Sequence, residues 1–227
     1  MSAVPAIAFP IGESLILGYL CGSLPFGFIV GKLRGMDIRR FGSGNIGATN
    51  VGRALGGGAF LLVLALDAAK GFLPTFFLSP QIAGASGGRL SADLAAVLVA
   101  AGTLIGHSWT VFLRFRGGKG VATGAGALLA LAPEALGCGL VVWLAAVAAT
   151  RYISVGSMAA ALAVAIGGIW IFEEDPFGRG LAKSIFLAGA AILVIARHGA
   201  NIKRLLAGSE NKIGRRARVD EPDTDNR

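Results

Sequence analysis

Residues 92 to 107 read ADLAAVLVAAGTLIGH, with one carboxylate at Asp93 and no further charge before His107. Wound as a helix, the stretch is about 24 Å long, most of the roughly 30 Å hydrocarbon core of a bilayer. Its apolar side chains cover every face instead of one stripe, so it suits a lipid surrounding better than a water-facing surface. Segments of the same kind recur near 11 to 32, 54 to 78, 120 to 132, 134 to 150, 157 to 172 and 181 to 198. The expectation is an all-α, polytopic membrane fold with about seven transmembrane helices. Pro133 divides the fourth segment from the fifth and leaves the fourth at 13 residues, so one kinked or re-entrant span is the alternative there.

Composition supports this reading. Hydrophobic residues make up 54% of the chain and charged residues 15%, against about 25% charged in soluble domains, and the mean hydropathy is +0.69. The net charge of +8 is unevenly placed. Arg89, Arg179 and Lys183 fall on one side of the expected spans and Lys70 inside one, which leaves 17 of the 21 Lys and Arg at the other side. The positive-inside rule makes that side cytoplasmic, with the N-terminus outside and the C-terminus inside. No basic stretch is interleaved with aromatic residues, so nucleic acid is not an expected partner. Cys21 and Cys138 stand alone in apolar runs and are read as small core residues. Met1 to Pro10 lacks a basic n-region, so the first span is expected to be retained. The expected organisation is one integral membrane domain over 1–214 and a charged, disordered cytoplasmic tail over 215–227.

Glycine, at 35 residues, serves two purposes. Gly102, Gly124, Gly126, Gly137, Gly139, Gly167 and Gly168 lie within spans, where small residues let helices approach closely. The loop glycines keep polar company. Phe41 to Arg53 brings Gly44 and Gly47 together with Ser43, Asn45, Thr49, Asn50 and Arg53 ahead of a helix, a composition that can enclose an anion with backbone N–H groups. Gly117, Gly118, Lys119 and Gly120 precede Thr123 in the same manner, without Walker A spacing. A third polar group closes the last span: His198, Asn201, Lys203 and Arg204, within about one turn if helical. Asp67 and Lys70 form an i, i+3 pair at lipid depth, where ionisable groups are costly, open equally to catalytic support and to a structural ion pair, and His107 is read as an orienting hydrogen-bonding residue. Ser154 and Ser157, beside Arg151, are further hydroxyl donors.

The loop side has no cluster of carboxylates, so no metal is expected and a metal-dependent phosphotransferase of the CDP-alcohol type is excluded. A His-x4-Asp acyltransferase motif is absent: Phe112 stands five residues after His107 and Lys203 five after His198. No nucleophile elbow is expected.

Taken together, Gly22-Ser23-Leu24-Pro25-Phe26-Gly27, Gly42 to Asn50, Asp67-Ala68-Ala69-Lys70-Gly71, Gly106-His107, Gly117 to Gly120 and Asn201 to Arg204 resemble the bacterial acyl-phosphate:glycerol-3-phosphate acyltransferases, the PlsY family. The likeness spans most of the chain. It departs at Thr110, where a proline is expected, at Gly199, where a basic residue is usual, and in the longer tail. The resemblance implies transfer of a fatty acyl group from acyl phosphate to the 1-hydroxyl of sn-glycerol 3-phosphate in a bacterial inner membrane, with no cofactor. His198, Asn201, Lys119, Ser43 and Asn45 would then serve catalysis. Gly44, Gly47, Thr49, Asn50, Arg53, Lys70, His107, Gly117, Gly118, Gly120, Thr123, Ser154 and Arg204 would bind substrate. The competing class is a transporter of phosphate esters, against which the one-sided charge and the absence of matching broken-helix repeats argue.

Overall fold

Several helix ends in this chain fall where the sequence removes a backbone donor or admits a left-handed residue. A computed structural model describes residues 4–213; the tail expected over 215–227 lies outside the described residues. Helix α1 (Val4–Ser23) breaks at Leu24-Pro25 and resumes as α2 (Phe26–Leu33). Helix α3 (Ala48–Leu55) turns sharply into α4 (Gly57–Leu73) at Gly56, whose φ of 90° suits only glycine. A π-helical turn at Pro74–Leu78 leads on into α5 (Ser79–Ala85), and its widened turn accommodates the N–H that Pro74 lacks. Ser91 caps α6 (Ala92–Ser108) by accepting from the Leu94 N–H at 3.2 Å. Helix α7 (Val121–Leu131) meets α8 (Pro133–Thr150) at Ala132 with Pro133 in the first turn, and left-handed Arg151 carries the chain into α9 (Ile153–Trp170). Helices α10 (Leu181–Arg197) and α11 (Gly199–Leu206) complete the set.

Five stretches are long and apolar enough to cross a bilayer: Phe9–Leu33, Gly57–Ala85, Ala92–Leu113, Pro133–Thr150 and Ile153–Trp170. Helices α10 and α11, bent by 52° at His198, make a sixth if counted as one span. Helix α7 falls short: its 11 residues reach only about 16 Å. The segment expected over 120 to 132 is therefore a short helix sheltered by its neighbours.

Glycine sets the spacing of these neighbours. Gly18 and Gly22 of α1 meet the backbone of α6 at Val99 and Thr103, and Gly102 and Gly106 of α6 return the contact on α1. Gly71 and Gly126 join α4 to α7 in the same way, Gly139 receives Val164, and Gly168 receives Leu187. A side chain at any of these would push two helices apart. Gly137 has open space around it and no such duty. The central core gathers Ala100 and Leu104 from α6, Leu128 from α7, Ala135 from α8, Val164 from α9 and Leu187 from α10. Outside it, Leu61, Phe77, Val141, Ile166, Ile185 and Ile192 are exposed as a lipid-facing belt.

The connections group at one end of the bundle. Tyr19 donates its hydroxyl to the Trp109 carbonyl at 2.9 Å, and Thr110 Oγ1 donates to the Ser23 carbonyl at 2.6 Å. Ile213 N–H donates to the Arg151 carbonyl at 2.9 Å while Arg151 Nη2 returns a bond to the Ile213 carbonyl at 3.1 Å. Asn45, Lys119, Ser154 and Asn201 line one cavity, so the loops after α2, α6, α8 and α10 share one end, as the sequence arrangement requires. Thr110, standing in place of the expected proline, makes the second of these contacts.

Candidate active site

The Phe41 to Arg53 loop is built around a single asparagine. Asn50 is buried; its Nδ2 donates to the carbonyls of Ile38, Phe41 and Asn45 at 2.9 to 3.1 Å, and its Oδ1 accepts the Ser43 N–H at 3.0 Å. Although Asn50 touches the cavity wall, its amide is spent on the loop. The side chain expected to meet substrate is thus the one that holds the loop in shape. Asn45 Oδ1 accepts from Gly47 N–H at 2.8 Å, and the Gly44 N–H is used on the Phe41 carbonyl at 2.8 Å. Ser43, Asn45, Gly47, Thr49 and Arg53 line the cavity, together with the first turn of α3, whose leading N–H groups have no intrahelical partner. Gly44 lies outside it.

The second loop differs from expectation in a way that matters. Gly117 N–H donates to the Ser108 carbonyl at 3.2 Å and Gly118 N–H to the His107 carbonyl at 3.0 Å, so neither amide is left for an anion. Their carbonyls accept from Arg197, through Nη2 and Nε respectively, at 3.0 Å each. A Cβ on Gly118 would overlap the His107 ring. These two glycines therefore seat the loop on α6, and neither is part of the cavity lining. Lys119, Gly120, Val121 and Ala122 are the part that lines the cavity, with Gly120 left-handed at φ 82° to open α7.

At the third constellation the chain bends. His198 and Asn201, both buried, line the cavity, and Lys203 is exposed. His198 Nδ1 lies 2.7 Å from the Val194 carbonyl, which assigns the proton to Nδ1 and leaves a lone pair on Nε2. Asn201 Oδ1 accepts from Lys119 Nζ. Its Nδ2 donates to Glu210 Oε1 at 2.6 Å, the same oxygen that Ser154 reaches at 3.0 Å, while Arg204 Nε donates to Glu210 Oε2 at 2.7 Å. Sequence reasoning gave Glu210 no role. The signal was present, because Glu210 is the lone carboxylate in the basic closing stretch from Arg197 to Lys212.

Charge at this end is concentrated. Burial pulls the Lys119 ammonium down to about 8, helped by the cations Arg204, Arg53 and Arg197 and opposed by Glu210. Burial likewise lowers Arg53, against the pull of Glu210. An arriving phosphate would relieve this crowding.

These groups surround one end of a cavity of about 360 Å³. Its other arm runs between α7, α8, α9 and α10 past Leu128, Leu140, Trp143, Ala161, Val164 and Leu187. Asp67 and His107 reach the wall between the two parts, His107 Nδ1 lying 3.1 Å from Thr123 Oγ1. Lys70 sits behind that wall: its Nζ is 2.8 Å from Asp67 Oδ1 and donates to the Leu24 carbonyl at 2.7 Å. Lys70 and the fully buried Thr123 stay out of the cavity lining and tie the α1–α2 break, α4, α6 and α7 together. Arg204 also stays out of the cavity lining and acts on Glu210. One Gly-x-Ser-x-Gly string does occur, Gly84-Ala85-Ser86-Gly87-Gly88, contrary to expectation. Ser86 Oγ there donates to the Ala83 carbonyl at 2.7 Å and accepts from Leu90 N–H at 3.0 Å, capping α5 at the end remote from the cavity.

An all-helical bundle with a basic, N–H-lined pocket opening onto an apolar slot defines a membrane-embedded protein that handles phosphorylated lipid precursors. The glycerol-3-phosphate acyltransferase family model matches residues 13–208, and the chain belongs to that family of enzymes. It is 45% identical over 205 residues to glycerol-3-phosphate acyltransferase 2 of Moorella thermoacetica, covering 90% of this chain and 98% of that one. It is 43% identical to the glycerol-3-phosphate acyltransferase of Symbiobacterium thermophilum, covering 89% and 94%. Among solved structures it is similar to PlsY (YgiH), an integral membrane glycerol 3-phosphate acyltransferase. The glycerol 3-phosphate form matches with a TM-score of 0.78 at 36% identity, covering 90% of this chain and 96% of that one. The lysophosphatidic acid form of the same protein matches with a TM-score of 0.75.

Proposed function

We propose that this chain transfers a fatty acyl group from an acyl phosphate to the 1-hydroxyl of sn-glycerol 3-phosphate, releasing lysophosphatidic acid and inorganic phosphate. One observation carries this reading: a single cavity joins a cation-rich, helix-capped end to a long apolar arm. Two phosphates carry roughly four negative charges at full ionisation. Arg53, Lys119 and the open first turns of α3 and α7 offset them. The apolar arm accepts the acyl chain, at about 0.8 kcal/mol for each buried methylene.

Ser43, Asn45, Thr49 and the α3 and α7 termini hold the donor phosphate, and Arg53, Lys119, His198 and Asn201 place glycerol 3-phosphate. The 1-hydroxyl oxygen attacks the acyl carbonyl carbon, and the bond from that carbon to the phosphate oxygen breaks. The hydroxyl proton passes to His198 Nε2 or to a substrate phosphate, whose second pKa of about 6 suits the task. Because an acyl phosphate is already a mixed anhydride, no acyl-enzyme is required.

The reading includes sidedness. Counting α7, short as it is, as the arm that carries the chain over to α8 gives seven segments, with the N-terminus outside and the basic end in the cytoplasm of a bacterial inner membrane. Surrounding lipid supplies the donor and receives the product. Purified protein in detergent, given palmitoyl phosphate and labelled glycerol 3-phosphate, should form lysophosphatidic acid and phosphate in equal amounts. Binding without product would favour a transporter, since micelles offer no second compartment. Equal or better activity with an acyl thioester would overturn the donor assignment.

A further inference from the structure

Arg197 and His198 are consecutive, yet they face opposite ways at the bend between α10 and α11. His198 lines the cavity, and Arg197 reaches outward to the loop before Lys119. Its guanidinium bonds two adjacent carbonyls, Gly117 and Gly118, at 3.0 Å each, and lies 5.6 Å from the centre of the Trp109 ring. The N–H groups of the same glycines are taken by the Ser108 and His107 carbonyls. The two residues before Lys119 are thereby gripped from both sides, by the end of α6 and the end of α10. Only a planar, forked cation can serve two neighbouring carbonyls and lie against an indole at once.

We infer that Arg197 is a positioning residue for acyl transfer, fixing where Lys119 enters the cavity relative to His198 and Asn201. The contacts form a closed ring: Arg197 holds the loop, the loop carries Lys119, Lys119 bonds Asn201, and Asn201 lies four residues beyond Arg197. Opening the ring at Arg197 leaves Lys119 as an ill-placed cation. The inference rests on the assignment of Lys119 to the phosphate of glycerol 3-phosphate. The charged groups acting on Lys119 are Glu210 of the closing segment, Arg204 of α11, Arg53 of α3 and Arg197 itself.

The test uses full-length protein in detergent, assayed for lysophosphatidic acid with palmitoyl phosphate while glycerol 3-phosphate is varied on both sides of pH 8. KM is independent of the folded fraction, so partial loss of protein does not imitate the effect. Arg197→Gln should raise the KM for glycerol 3-phosphate about tenfold, with kcat within about twofold, since misplacing a group by an ångström can cost that much or more. Its alkaline limb in kcat/KM should move upward, because a cation beside Lys119 has gone. Arg197→Lys, which keeps the charge but not the fork, should raise KM about threefold and leave the limb in place. Unchanged KM in Arg197→Gln overturns the inference; if that variant does not fold, unchanged KM in Arg197→Lys does so. Wild-type protein that makes no lysophosphatidic acid would instead overturn the function itself, and this inference with it.

Discussion

The Asn201 amide nitrogen donates to Glu210 Oε1 across 2.6 Å, and this bond determines how Asn201 presents its oxygen to Lys119. With its nitrogen held by a carboxylate, the amide cannot flip. Glu210, which also lines the cavity, is thus a buried anion that organises the basic end, since Ser154 and Arg204 also end on it.

Glu210→Gln should therefore loosen both Arg204 and Asn201. The expected cost is about 2 to 4 kcal/mol, the range for stripping the charge partner from a buried donor set. Burial opposes ionisation of Glu210, but bonds from Asn201, Arg204 and Ser154 outweigh it and hold the carboxyl below its usual value. A depressed carboxylate stabilises the fold above its unfolded pKa and loses that contribution as pH falls through the folded one. Thermal unfolding in detergent should show wild-type protein weakening in acid and Glu210→Gln weaker near neutral pH, flatter with pH, and converging with wild type in acid.

Lys119 gives the alkaline counterpart. Its ammonium, pulled down to about 8, is charged below that pH and neutral above it. The kcat/KM for glycerol 3-phosphate reports the free enzyme and should fall as pH rises through 8. In Lys119→Arg that limb should disappear, with a lower plateau because the longer fork does not meet Asn201 in the same way. A limb retained at the same pH in Lys119→Arg would assign it to another group.

His198 separates base from orienter. An essential base predicts a loss of about a hundredfold or more in kcat for both His198→Ala and His198→Gln. If a substrate phosphate takes the proton, the glutamine variant should keep within about tenfold of wild-type kcat while alanine loses more.

Lys70 should behave as framework. Lys70→Met leaves Asp67 as an unpaired buried anion, at a cost of about 3 to 5 kcal/mol, and folded yield should drop. Protein that does fold should show an unchanged KM for glycerol 3-phosphate, and adding Asp67→Asn should recover stability. A raised KM with normal stability would return Lys70 to the substrate site.

How far the sequence reaches is clear from these residues. Uninterrupted apolar runs marked the helices, since lipid leaves few alternatives for a backbone. One-sided basic loops showed which connections share an end, and Ser43, Asn45, Thr49, Arg53, Lys119, Ser154, His198 and Asn201 do meet at one cavity. What a linear reading missed is the use made of each polar group. Asn50, Gly117 and Gly118 have the composition of an anion loop, yet their donors are consumed by carbonyls that only folding brings near. Glu210 lies 56 residues from Ser154 along the chain and bonds it directly, a relation no local pattern contains.

The central claim is that the polar end of the cavity performs the transfer while its apolar arm holds the acyl chain. Ala161 lines that arm on α9, seven residues beyond Ser154, so Ala161→Phe tests the division most directly. Initial rates with palmitoyl phosphate and with acetyl phosphate should diverge: long-chain transfer falls at least about tenfold, whereas the KM for glycerol 3-phosphate and transfer from the short donor stay within about twofold. Equal losses with both donors, or palmitoyl transfer that persists unchanged, would contradict the account.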